Sequence, residues 1–119
     1  SRGAIVRTIY ESLAWNYRTV LEKLARHAGH KIETLHIVGG GCRDNLLNQY
    51  TADATGCRVI AGPEEGTAMG NALMQLIALG ELKGISEGRR IVSNSVQTKT
   101  YESQDAARWN DQVIIRNNV

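Results

Sequence analysis

Proline occurs once in these 119 residues, cysteine twice, and apolar residues never run on for long. With so little proline, and with 42% hydrophobic against 22% charged residues, the composition is that of a globular chain rather than a collagen-like or disordered one. No apolar run approaches the roughly 20 residues that span a bilayer, and the first residues do not form a signal-peptide pattern. No membrane partner is therefore expected, and the expected location is cytoplasmic. Cys42 and Cys57 lack a CxxC arrangement and a histidine at metal spacing, so they read as two reduced thiols; whether they approach each other stays open. An excess of one charge is missing too. The net charge is +2, the 14 basic residues are scattered with Arg89-Arg90 as the one adjacent pair, and no aromatics are interleaved with them, so no nucleic-acid partner is expected.

What is present has helical and strand periods in alternation. From Gly3 to Ala28, Ile5, Ile9, Leu13, Tyr17, Val20 or Leu21, Leu24 and Ala28 recur every three or four positions, and Gly29 can end that helix. Thr34 to Val38 reads as a buried strand. A second helix starts at Asp44 or Asn45, carries Leu46, Leu47, Tyr50 and Ala54 on one face, and stops at Gly56. Cys57 to Ala61 is a second strand ended by Gly62-Pro63, and its connection through a helix predicts that it runs parallel to the first. A third helix is expected from Glu64 or Glu65 to Leu79 with Ala68, Met69, Ala72, Leu73, Leu76 and Ile77 inward. Ser86 can cap a shorter helix through Val92, "SNSVQTKTYESQ" reads as irregular, and Asp105 to Ile115 as a last helix. Two parallel strands are too few to stand between layers of helices. Both are expected to pair with strands outside this sequence, which makes residues 1–119 a segment of a larger α/β domain.

Between the first strand and the second helix stands "HIVGGGCRDNLLNQ", His36 to Gln49. A strand, glycines and a helix N-terminus form the local geometry by which α/β proteins admit a ligand to the backbone. A dinucleotide fingerprint is absent, because Gly39 and Gly41 would place its last glycine on Asp44, and Cys57 and Arg58 stand where its acidic residue belongs. A Walker A loop is absent as well, since no lysine followed by serine or threonine comes after the glycines. Two readings stay open: a platform for a flat group such as adenine or adenosine, with the Asn45 amide one turn along, or a tight turn with positive backbone dihedrals.

The stretch "LHIVGGGCRDNLLNQYTADATGCRVIAGPEEGTAMGNALMQLIALGEL" resembles the C-terminal domain of the FGGY carbohydrate kinases. "ESLAWNYR" and "RRIVSNSVQTKTYESQDAARW" resemble the flanking segments of members of that family, so the resemblance covers nearly the whole chain. It implies an α/β fold of actin-like ATPase type, an incomplete ribonuclease-H-like domain with a long helix, then strand, helix, strand and helix. It also implies ATP-dependent phosphorylation of a ketose sugar. On that resemblance Gly39, Gly40 and Gly41 line the adenosine pocket, with Gly40 foremost, and Asn45 lies near the adenine or ribose. The family's phosphate loop, general-base aspartate and sugar contacts fall upstream of Ser1. ATP and Mg2+ are the implied cofactors, held mainly outside this chain, which should not catalyse alone. One departure stands at Gly66, where relatives tend to have alanine.

No catalytic or metal-binding residue is assigned. Asp44 is better explained as a helix-start residue and Asp53 as a solvent-facing or packing one. His27 and His30 have no third ligand at a recognised spacing, His36 reads as a hydrogen-bonded core or interface residue, and Trp15 and Trp109 read as packing anchors. The alternative function is a stand-alone interaction or regulatory module that recruits a strand or a second copy through an open sheet edge. On either reading the isolated chain is expected to self-associate.

Overall fold

A computed structural model describes the backbone of residues 1–117 and the side chains of residues 1–112. The long helix α1 spans Arg2–Ala28; the Ser1 hydroxyl caps the Ala4 amide, and Gly29 closes the helix at φ 73° with its N–H on the Ala25 carbonyl. Then follow β1 (Thr34–Ile37), a 3-10 turn (Gly40–Arg43), α2 (Asn45–Thr55), β2 (Arg58–Ala61), α3 (Gly66–Ala78), α4 (Ile85–Ser95), β3 (Lys99–Tyr101) and α5 (Ala106–Asn117). The helix, strand, helix, strand, helix order expected through residue 78 is observed, and so is the last helix. None of the described helices is long and apolar enough to cross a membrane.

β1 and β2 pair in parallel, with Leu35 opposite Val59 and Ile37 opposite Ala61. The sheet nonetheless has three strands in the order β1, β2, β3, because β3 pairs antiparallel with β2, Tyr101 facing Val59. This corrects two expectations. "SNSVQTKTYESQ" is not irregular throughout, since α4 runs on to Ser95 and the segment then supplies β3. Nor does β2 need a strand from elsewhere, because β3 takes its second edge. β1 pairs with β2 alone among the described residues. It is also not a buried strand: Thr34 and His36 are exposed and Leu35 and Ile37 half-buried, since nothing described here lies over its outer edge.

Two small cores flank α2. One holds Cys42, Ala52, Val59, Ala61 and Tyr101 beneath the sheet; the other holds Ala14, Trp15, Ala54 and Trp109, with Tyr50 packed against it. Trp109 meets Trp15 and Tyr50 edge-on at 5.9 and 6.0 Å between ring centroids, so the two tryptophans anchor α1 and α5 on α2 as expected. The buried face of α2 is Asn48, Thr51, Ala52, Asp53 and Ala54, whereas Leu46 is exposed. Small side chains on this face let α2 sit close to its neighbours. The Thr51 hydroxyl donates to the Leu47 carbonyl at 2.8 Å.

Further corrections concern the remaining helices. α1 buries only Ala14 and Trp15, and the periodic apolar residues Ile5, Ile9 and Leu24 face outward. α3 has no buried residue: Met69, Leu73 and Ile77 are half-buried, while Ala68, Ala72 and Leu76 are exposed, because α3 packs chiefly on α4. α4 begins at Ile85 after Gly84, which places Ser86 inside its first turn rather than at its cap. Cys42 and Cys57 are both buried and free, and the Cys57 thiol donates to the Ile32 carbonyl.

Candidate functional site

In an open α/β sheet, ligands lie beyond the carboxyl ends of the strands. Here those ends are the glycine turn after β1 and Gly62-Pro63-Glu64 after β2. The two are tied together: the Gly62 amide donates to the Ile37 carbonyl at 2.8 Å, and the Gly39 amide to the Pro63 carbonyl at 3.0 Å. Arg43 and Glu64 form an ion pair across the same gap. It lowers the Glu64 carboxyl below its ordinary value and raises the Arg43 guanidinium, each mainly through their shared hydrogen bond.

The three glycines are not equivalent. Gly39 has φ 83° and ψ −174°, a region that only glycine occupies freely. Gly40 and Gly41 belong to the following 3-10 turn and do not have positive φ. A methyl group built on either one would meet no atom within 4 Å. The tight turn thus accounts for Gly39, while neither backbone conformation nor packing among the described residues requires glycine at 40 and 41. Gly62 differs again, since its φ is 118° and an added methyl group would lie 3.2 Å from the Gln97 carbonyl oxygen.

Asp44 closes the turn and starts α2. Its amide donates to the Gly41 carbonyl at 3.3 Å, and its Oδ1 accepts the Leu47 amide at 3.0 Å. Oδ2 accepts the Tyr10 hydroxyl from α1. The Leu47 amide first, and then Tyr10, hold the Asp44 carboxyl below the ordinary carboxylate value, and Asp44 in turn pushes the Tyr10 phenol up. Asp44 is therefore the helix-start residue the sequence indicated. Asp53 is buried rather than solvent-facing: its Oδ1 accepts from the Gln49 side chain and the Gln104 and Asp105 amides, which holds the approach to α5.

Asn45 opens α2 as an exposed residue. Its Oδ1 accepts the Tyr101 hydroxyl at 2.6 Å and the Lys99 ammonium at 3.0 Å. It borders a mixed polar and apolar cavity of about 410 Å³ with Arg43, Glu64, Gln97 and Lys99. Gly41 borders a different, mainly apolar groove of about 610 Å³ between α1 and β1, with Tyr17, Val20, Leu24 and Asn48. The glycines and Asn45 are thus at one end of the sheet, with Gly41 and Asn45 opening onto separate hollows. Lys99 and Tyr101 escaped the sequence reading because a three-residue strand offers too short an alternation. Tyr10 escaped because nothing local links a helix residue to a turn far along the chain. His36 is exposed, not a core residue. Among the described residues no three His, Cys, Asp or Glu side chains gather as a metal site.

The family model for the FGGY family of carbohydrate kinases, C-terminal domain, matches residues 1–79. A rhamnulokinase of Bacteroides thetaiotaomicron is 51% identical over 108 residues, covering 91% of this chain and 22% of its own length. A rhamnulokinase of Enterococcus faecalis is 50% identical over 105 residues, covering 87% of this chain and 21% of its own. The chain spans about a fifth of the length of these relatives.

Proposed function

The chain belongs to the C-terminal domain of the FGGY family of carbohydrate kinases, and on that premise we propose that it forms the adenosine-side part of an ATP-dependent sugar kinase. The observation that carries this reading is the open space over Gly40 and Gly41, which the chain itself neither fills nor needs. That space lies at the carboxyl end of a parallel strand pair, where a flat group can rest on bare backbone. Gly39 shapes the platform, Gly40 and Gly41 are its surface, and Asn45, on the adjoining hollow with Arg43 and Glu64, offers its amide near the nucleoside.

The substrate we assign is L-rhamnulose, converted with ATP to L-rhamnulose 1-phosphate and ADP. Similarity to two rhamnulokinases over about nine-tenths of the chain supports that choice. Phosphoryl transfer needs in-line positioning, a metal on the phosphates and a carboxylate near the attacking hydroxyl. Asp44 and Asp53 are both committed to backbone amides, and in this reading the base, the Mg2+ ligands and the sugar contacts belong to the parts of the kinase that the chain, about a fifth of its relatives' length, does not cover. In this reading the chain's contribution is to hold and orient the nucleoside, in a cytoplasmic enzyme of actin-like ATPase fold. The remainder of that polypeptide covers the open edge of β1 and the groove beside α1. Beside that groove the fully buried Asn48 has an Oδ1 with no partner among the described residues.

Gly40→Val in the kinase that carries this chain tests the assignment. The branched side chain would occupy the adenosine's place, and ATP affinity is expected to fall at least about tenfold, the loss of one well-packed contact surface. An unchanged ATP dissociation constant by calorimetry would refute the pocket. A ketose panel assayed with this segment alone beside the whole kinase tests the rest, since activity in the segment would contradict the division of labour.

A further inference from the structure

The glycine turn has no side chains of its own between Gly39 and Gly41, so its shape is set from its two ends. The front end is held by the Gly39 amide on the Pro63 carbonyl, and the back end by Asp44. Capping α2 occupies only Oδ1 of Asp44; the second oxygen, Oδ2, is engaged by Tyr10. Tyr10 itself stands on a fixed stretch of α1. The adjacent Glu11 takes the Arg7 guanidinium at 2.9 Å within α1 and also pairs with Arg108 of α5, which ties that part of α1 to α5.

We infer that Tyr10 is a positioning residue for nucleotide binding: its hydroxyl, through Asp44 Oδ2, fixes the back of the Gly39–Gly41 platform. The inference rests on the adenosine reading given above. A cap alone lets the carboxylate swing about its bond to Oδ1's partner; a second hydrogen bond from another helix removes that freedom and, with it, play in the Asp44 amide that closes the turn. Tyr10 lies outside the glycine motif and touches no ligand on this account. Its effect is transmitted through one named contact.

The test uses the kinase carrying this chain, with steady-state kinetics in each substrate and thermal melts. Tyr10→Phe is expected to raise KM for ATP about three- to tenfold, the scale of a single relayed coupling, with kcat and KM for the ketose within about twofold and the melting temperature nearly unchanged. Asp44→Ser keeps a capping oxygen for the Leu47 amide but cannot reach Tyr10, and in that background Tyr10→Phe should add nothing. A purely structural role would instead reduce the amount of folded enzyme, lowering kcat while leaving KM for ATP alone, and that result would overturn the inference. So would an undiminished effect in the Asp44→Ser background. If Gly40→Val weakens ATP binding and Tyr10→Phe does not, the positioning role fails and the adenosine reading stands; if neither does, both fail.

Discussion

At the scale of single residues, glycine has three different justifications within one site. Gly39 is required by its backbone, Gly62 by its backbone and by the Gln97 carbonyl, and Gly40 and Gly41 by neither. These predict opposite responses to the same substitution. Gly62→Ala should destabilise the fold by about 1–3 kcal/mol, because a side chain is forced into positive φ against a backbone oxygen. Gly40→Ala should leave stability unchanged or raise it by up to about 1 kcal/mol through reduced freedom of the unfolded chain, while weakening ATP binding. Denaturant titration of both variants beside nucleotide titration checks this, and equal destabilisation at the two positions would contradict it. The glycine triplet was legible in the sequence as either a turn or a platform, but that the turn requires only Gly39 needed dihedrals and neighbour distances. Gly66 shows the same limit: a methyl group there would meet the Val38 side chain at an ordinary 3.5 Å, so the packing does not demand glycine.

At the scale of elements, helices with sequence-local stops were readable and contacts between distant segments were not. Gly29 and Gly56 end α1 and α2 in the left-handed conformation that their sequence positions suggest. Asp44 likewise starts α2 from a side-chain oxygen. β3 was not readable, since three residues with exposed Lys99 and Thr100 show no alternation, and only the pairing with β2 makes them a strand. The Asp44 cap carries a pH dependence. Its folded carboxyl titrates below the ordinary value, so its stabilisation is fully present above the unfolded value of about 3.9 and is lost as pH falls through the folded one. Thermal melts should therefore show this contribution intact between neutrality and about pH 5 and fading below about pH 4. Asp44→Asn, which still caps but does not titrate, should flatten that part of the acid limb; an unaltered limb would remove Asp44 from the acid response.

At the scale of the whole molecule, shape and surface lead to one consequence. The radius of gyration is 17.4 Å and the extents are 58 × 38 × 20 Å, where a compact chain of this length would have a radius near about 13.5 Å. The extension comes from α1, which touches the body through its middle, and from α3 and α4, which lean mainly on each other. Ile5 and Leu79 are 63% and 76% exposed, Val38 is bare at the end of β1, and the groove between α1 and β1 is lined mostly by apolar side chains. An open strand edge beside such a groove invites pairing with another chain. In the proposed kinase the remainder of the polypeptide occupies it; in residues 1–119 alone a second copy is the available cover. Light scattering at micromolar concentration should therefore give a mass above that of one chain, rising with concentration. Leu24→Glu, which puts a charge on the groove wall where it is already half exposed, should shift the equilibrium toward monomer without unfolding the chain. A compact, stable monomer of the unsubstituted chain across that range would mean that the β1 edge and the α1 groove need no cover, and the proposed place of the remaining polypeptide would have to be given up.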